Sequence, residues 1–256
     1  MIELQPSFRP RKITHALFDF DGTISLLRSG WCEVMHAMFV QCVPEVDPME
    51  LMMDISDLTG KQTIFQMIKL AERVKEQGRD PEPPLEYKKE FLRRLDHIVK
   101  QRKQAIADGN KIPENFRVYG SLEMLEDLRA RGIHLVLASG TDEEAVREEA
   151  DLLNVLRFFQ CVFGARGGDT ACVKRKAIEW IGDTDFAVFG DGFVEISEGK
   201  KAGALTVGVP SVEDADVTHL GVVDDWKYDR LLNAGADIII PDFGDHQQLI
   251  STILNE

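Results

Sequence analysis

A chain of 256 residues, 44% apolar and 29% charged, is long enough for one large globular unit or for one unit with a smaller companion. Its formal net charge of −14 argues against a sequence-independent nucleic-acid binder, which needs a basic surface, and against docking on anionic membranes. Small phosphorylated molecules stay open as ligands, because the field inside a site can oppose the net charge.

The first predicted element is a short apolar run at 13–19 (ITHALFD), a buried strand that runs into acidic residues and Gly22. Trp31, Val34, Met35, Met38, Phe39 and Cys42 then fall at helical spacing, as do Ile64, Met67, Ile68, Ala71 and Val74. The methionine-rich run 49–53 between them reads as core. Pro81, Pro83 and Pro84 mark an internal turn, after which Tyr87, Phe91, Leu95 and Ile98 share one helical face. From Gly120 the pattern alternates. Helices are expected at 121–131, 142–153, 173–182, 193–202 and 225–234, with strands at 133–139, 161–165, 185–190, 204–209 and 236–240. This alternation predicts an α/β fold, a Rossmann-like parallel sheet covered on both faces. The helical stretch interrupts it after the first strand. The expected organisation is a core of 1–27 and 113–256 with an inserted, all-helical cap domain at 28–112.

In open parallel sheets, ligands bind at the carboxyl ends of the strands. The first strand is followed by Asp19-Phe20-Asp21-Gly22-Thr23, and the next by Ser139-Gly140-Thr141. Thr170 and Lys174 precede or open the helix at 173–182. Gly190-Asp191-Gly192 follows the strand at 185–190, with Glu195 four residues beyond Asp191. Carboxylates, a hydroxyl and a lysine are thus brought to one sheet edge. Asp19 and Asp191 are hard oxygen ligands suited to magnesium. Ser139 and Lys174 can hold phosphoryl oxygens. Asp19 and Asp21 can divide the work of nucleophile and acid.

DFDGT, a hydroxyl residue after a strand, a lysine and then GD, in that order, resemble the four motifs of the haloacid dehalogenase superfamily. Its members are mostly magnesium-dependent phosphatases and phosphomutases. The helical insertion resembles the cap of beta-phosphoglucomutase and phosphoglycolate phosphatase relatives. The resemblance implies Asp19 as nucleophile and Asp21 as general acid and base. It implies Ser139 and the amides near Gly140 as phosphate ligands, and Lys174 as charge neutraliser rather than the adjacent Arg175 or Lys176. It also implies a Mg2+ ion held by Asp19, the Asp21 carbonyl and Asp191. Arg28 at the hinge and Lys61 in a loop of the insertion are candidates for contacting the rest of the substrate.

Two departures stand out. The last motif reads GDGFVE, with Glu195 where an aspartate is usual, and Trp31 stands where mutases carry a histidine. The expected function is a magnesium-dependent phosphatase acting on a small phosphorylated metabolite through an aspartyl-phosphate. A phosphomutase and a non-catalytic phosphometabolite-binding module are the alternatives. The six histidines have no metal-ligand spacing, and 164–168 lack the GK[ST] ending of a P-loop. Cys32, Cys42, Cys161 and Cys172 form no CxxC and read as free, buried thiols. With no leader-like segment and no apolar stretch near ~20 residues, a soluble, cytoplasmic protein is expected, with no nucleic-acid or membrane partner.

Overall fold

A computed structural model describes residues 1–166, 171–213 and 220–256. Thr170, Gly167 and Gly168, noted in the sequence, lie outside the described residues. Seven strands form one sheet: β1 (Glu3–Leu4), β2 (His15–Phe18), β3 (His134–Asp142), β4 (Phe159–Ala165), β5 (Phe186–Gly190), β6 (Leu205–Gly208) and β7 (Ile238–Ile239). Their order is β1-β7-β6-β5-β2-β3-β4, and every pairing is parallel except β1 with β7. The two-residue β1 carries no alternation, so the sequence offers no signal for it.

Period-two alternation sends successive side chains to opposite faces. Ala16, Phe18, Leu135, Leu137, Ala187 and Phe189 pack into one apolar cluster, while Leu17, Val136, Ala138 and Val188 pack into another. The first cluster is covered by α5 (Ser121–Ala130), α6 (Glu143–Leu152) and α10 (His246–Leu254), the second by α7 (Val173–Ile181). Helices α8 (Phe193–Lys201) and α9 (Asp225–Asn233) meet through Ile196 and Leu231 beside β7. A strand buried on both faces reads as a continuous apolar run, which is why these were visible in the sequence. Helix α10 has no counterpart among the expected elements, although Leu249, Ile250 and Ile253 lie on one helical face.

Between β2 and β3 the chain forms four helices: α1 (Trp31–Cys42), α2 (Pro48–Asp57), α3 (Thr63–Glu76) and α4 (Pro84–Ala107). They share their own core of Met35, Met38, Phe39, Leu51, Ile55, Met67, Leu70, Phe91 and Leu95, among others. Pro84 opens α4, where its missing N–H costs nothing. The run 49–53 corrects the expectation of a methionine core. Within α2, Leu51 and Ile55 form the buried stripe four residues apart, which leaves Met49 and Met53 69% and 60% exposed. The cysteines are free but half-buried rather than buried, and burial pushes the Cys32 thiol up to about 11. Among the described residues, no helix is long and apolar enough to cross a membrane.

Candidate active site

The strand ends place the predicted residues together. Asp19 directly follows β2, and its N–H donates to the Phe189 carbonyl at 2.9 Å, so the backbone is locked to β5. Gly22 turns the chain back at φ +75°, and a Cβ there would collide with the Asp191 carboxylate. Asp191 directly follows β5. Gly190 is equally confined, since a Cβ would occupy the space of the Glu195 side chain. The third strand runs on to Asp142 through a break in register between Ala138 and Asp142. The strand was expected to end at 139. The irregular stretch that follows re-aims Ser139 and Thr141 toward the neighbouring strand end.

Lys174, in the first turn of α7, is 2% exposed. Its ammonium contacts the Asp19 carboxylate and donates to the Ala138 carbonyl at 2.5 Å. Arg175 instead pairs with Glu198 at the surface. The side chain of Asp21 faces the other way. Its Oδ2 accepts from Ser139 Oγ at 3.2 Å and Thr141 Oγ1 at 2.7 Å, while Oδ1 is buried with no hydrogen-bond partner. Thr141 is a site residue the sequence reading leaves without a role; standing two residues beyond Ser139, it returns to the same side of an extended chain.

Asp19, Asp191 and Glu195 offer carboxylate oxygens within 4.8 Å of one another. Glu195 accepts from the Gly192 N–H at 2.5 Å through Oε1, and its buried Oε2 has no partner. An orphaned acceptor beside two more carboxylates fits a hard divalent cation. The carboxylate of Asp21 is outside this group. Electrostatics point the same way. Burial drives Asp19 well above the ordinary carboxylate range; Lys174 opposes the rise, and Glu195 and Asp191 add to it. Burial also raises Glu195, against Lys174 and with Asp191. The cluster carries more negative charge than Lys174 neutralises. Asp21 is raised too, chiefly by burial, with Arg28 opposing and Glu149 adding.

A cavity of about 520 Å³ opens onto Asp19, Asp21, Ser139 and Asp191 and is roofed by the helical insertion through Trp31, Met35 and Phe91. The loop between α2 and α3 sits on the stretch at β3's register break, so that a Cβ at Gly140 would come within 3.0 Å of the Lys61 carbonyl oxygen. The Lys61 side chain is exposed at the cavity rim, with its ammonium 6.0 Å from the Phe65 ring. Arg28 lines the cavity as well, but it donates to both oxygens of the buried Glu149, at 3.0 and 2.7 Å, and lies 3.9 Å from Asp21. The insertion is tied down by Lys88 to Asp142 at 2.6 Å and by Arg102, which donates to the carbonyls of Leu27 and Ser29.

Lys227 went unnoticed in the sequence. It rises from the first turn of α9, and its buried ammonium donates to Asp191 Oδ2 and to Glu213 Oε1, both at 2.6 Å. The signal was present: Lys227 stands four residues before the fully buried Leu231, on the inward stripe of its helix.

A family model for haloacid dehalogenase-like hydrolases matches residues 13–203. The chain belongs to the haloacid dehalogenase-like hydrolases. No curated protein matches it. Solved structures show the same fold. A candidate beta-phosphoglucomutase from Bacteroides vulgatus is 18% identical with a TM-score of 0.63, over 97% of this chain and 91% of that one. A phosphoglycolate phosphatase candidate from Haemophilus somnus 129PT is 15% identical with a TM-score of 0.60, over 93% and 98%. A phosphatase candidate from Clostridium acetobutylicum is 17% identical with a TM-score of 0.58, over 94% and 100%. At these identities the neighbours speak for the fold of this hydrolase.

Proposed function

We propose that this hydrolase is a magnesium-dependent phosphatase that cleaves a small organic phosphomonoester through a phosphoryl-Asp19 intermediate. The observation that carries the reading is the pairing of unlike carboxylates. Asp19 lies against Lys174 and within the metal-competent group. Asp21 sits apart on two hydroxyls with one unpartnered oxygen. Two neighbouring carboxylates in different surroundings can hold different protonation states, as nucleophile and acid require.

In this reading Asp19, Asp191 and Glu195, with the Asp21 carbonyl, hold Mg2+, which supplies charge neutralisation to the transferring phosphoryl group. Asp19 attacks phosphorus in line with the leaving oxygen. Asp21, kept protonated by burial, passes the proton on Oδ1 to that oxygen, and then takes one from the water that hydrolyses the intermediate. Thr141 keeps its other oxygen in place, and Ser139 turns its single hydroxyl proton from that oxygen to the phosphoryl group. Lys174, Ser139 and the amide at Gly140 receive the equatorial oxygens. Residues 28–112 act as a cap that encloses the cavity, excludes bulk water and meets the rest of the substrate, with Lys61 on its rim and Arg28 holding Asp21 and Glu149 in register. The substrate is a small phosphorylated metabolite, sized by the cavity.

The test is turnover of p-nitrophenyl phosphate by the purified chain. Hydrolysis should stop in excess chelator and return with Mg2+. Full activity in chelator would overturn the reading.

A further inference from the structure

The proposed metal group has a feature its motif residues do not explain: a second buried ammonium. Lys174 contacts Asp19, and Lys227 contacts Asp191. The Lys227 and Asp191 side chains are only 8% and 9% exposed. The Lys227 ammonium lies 2.6 Å from two carboxylate oxygens, Asp191 Oδ2 and Glu213 Oε1. Its second partner, Glu213, belongs to the segment after β6 that folds over the catalytic turn. Ser211 in that segment donates to the Gly22 carbonyl, and Glu213 lines the cavity.

A buried lysine on a metal-ligating carboxylate can act in two opposite ways. It can orient the ligand, which favours the metal, or it can compete for it, which opposes the metal. The orientation of Asp191 does not depend on Lys227 alone. The aspartate directly follows a central strand whose end is pinned by Val209 N–H to the Gly190 carbonyl at 2.9 Å, and it is wedged against Gly22. Charge is the larger effect, because ammonium and dication share one carboxylate at short range where water screens little.

We propose that Lys227 is an internal counter-ion that competes with the divalent cation for Asp191, and that Glu213 is the alternative partner that takes the ammonium when the metal binds. This rests on the metal-dependent reading above. Without metal Lys227 neutralises Asp191, and the competition between the two cations keeps the bound ion exchangeable.

The two halves of the pair make opposite predictions. Removing the positive charge with Lys227→Met should tighten Mg2+ binding roughly 10- to 100-fold. Removing the alternative partner with Glu213→Gln should weaken it several-fold, because Lys227 is then left with Asp191 alone. Lys227→Arg, which keeps the charge and is the variant to use if the methionine protein does not fold, should stay within about threefold of wild type. The measurement is calorimetric titration of the full chain with MgCl2 and no substrate. A packing role for Lys227 would give weaker binding or none in the methionine variant, never tighter. Unchanged or weaker binding in Lys227→Met, a large change in Lys227→Arg, or tighter binding in Glu213→Gln overturns this proposal and leaves the phosphatase reading standing. A wild-type chain that binds no Mg2+ overturns both.

Discussion

The sheet and the helical insertion bury apolar side chains equally well and differ in what they do with charge. At the carboxyl ends of β2, β3 and β5, charged groups are buried: Asp19, Asp191, Glu195, Lys174 and Lys227 are each 9% exposed or less. Among the charged residues of α1–α4 only Lys88 is buried to that degree, and it pairs with Asp142 of the core. The other ion pairs, as between Arg73, Asp54 and Glu50 or between Arg94 and Glu90, are partly exposed, and the shared interior is apolar. Burying a charge without a partner is costly, and a fold tolerates it where a ligand or counter-ion completes the set. The sheet edge is therefore built for an ionic reaction, and the insertion is built to enclose it.

Six substitutions test that division, beginning with the largest effect. Asp19→Asn should lower turnover by at least ~10⁴-fold, as loss of a nucleophile does. Asp21→Asn should leave the nucleophile in place and slow hydrolysis of the intermediate. Mass spectrometry of that variant after exposure to an aryl phosphate should find a phosphoryl group on the peptide holding Asp19. An adduct on Ser139 would reassign the roles.

Phe39→Ala, in the fully buried core of the insertion, should cost about 3–5 kcal/mol in denaturant unfolding. If the two cores are separate, hydrogen exchange should speed up in 31–107 and leave β2, β3 and β5 protected. A uniform loss of protection would mean one cooperative unit.

Lys174→Ala removes the ammonium beside Asp19 and should cost on the order of 10²–10³ in rate. Lys176→Ala, on the same helix, should stay near wild type. The reverse ranking would move the neutralising role to the other lysine. The smallest effect is expected at the rim. Lys61→Ala should change the preference between natural phosphomonoesters and p-nitrophenyl phosphate by less than about tenfold, which compared kcat/KM values would reveal. Equal losses on both substrates would place the defect in the core.

Much of the sheet edge was legible because its residues are tied to strand ends. A buried parallel strand is a compact apolar signal, and the residue after it has few places to go. Asp19, Ser139 and Asp191 follow from that alone, and Lys174 from the first turn of the helix after β4. The insertion was less legible. Helical period identified α1, α3 and α4, but in α2 composition misled, since methionine is apolar wherever it points and only Leu51 and Ile55 turned inward. A sequence cannot show that Arg28, which lines the cavity, also pairs with Glu149, far along the chain and buried beside it.

What the sequence determined by itself is local: which segments alternate, where strands end, and which side chains stand at those ends. Those properties depend on near neighbours and on the fixed periods of helix and strand. Only the tertiary structure decided the charge balance of the site. Glu195 lost one hydrogen-bond partner by burial, Asp21 turned from the metal-competent carboxylates to two hydroxyls, and Lys227 arrived from the far side of β6 to lie on Asp191. Such pairings join residues 36 to 120 positions apart. Their energies depend on distance and burial in three dimensions, and neither is written in residue spacing.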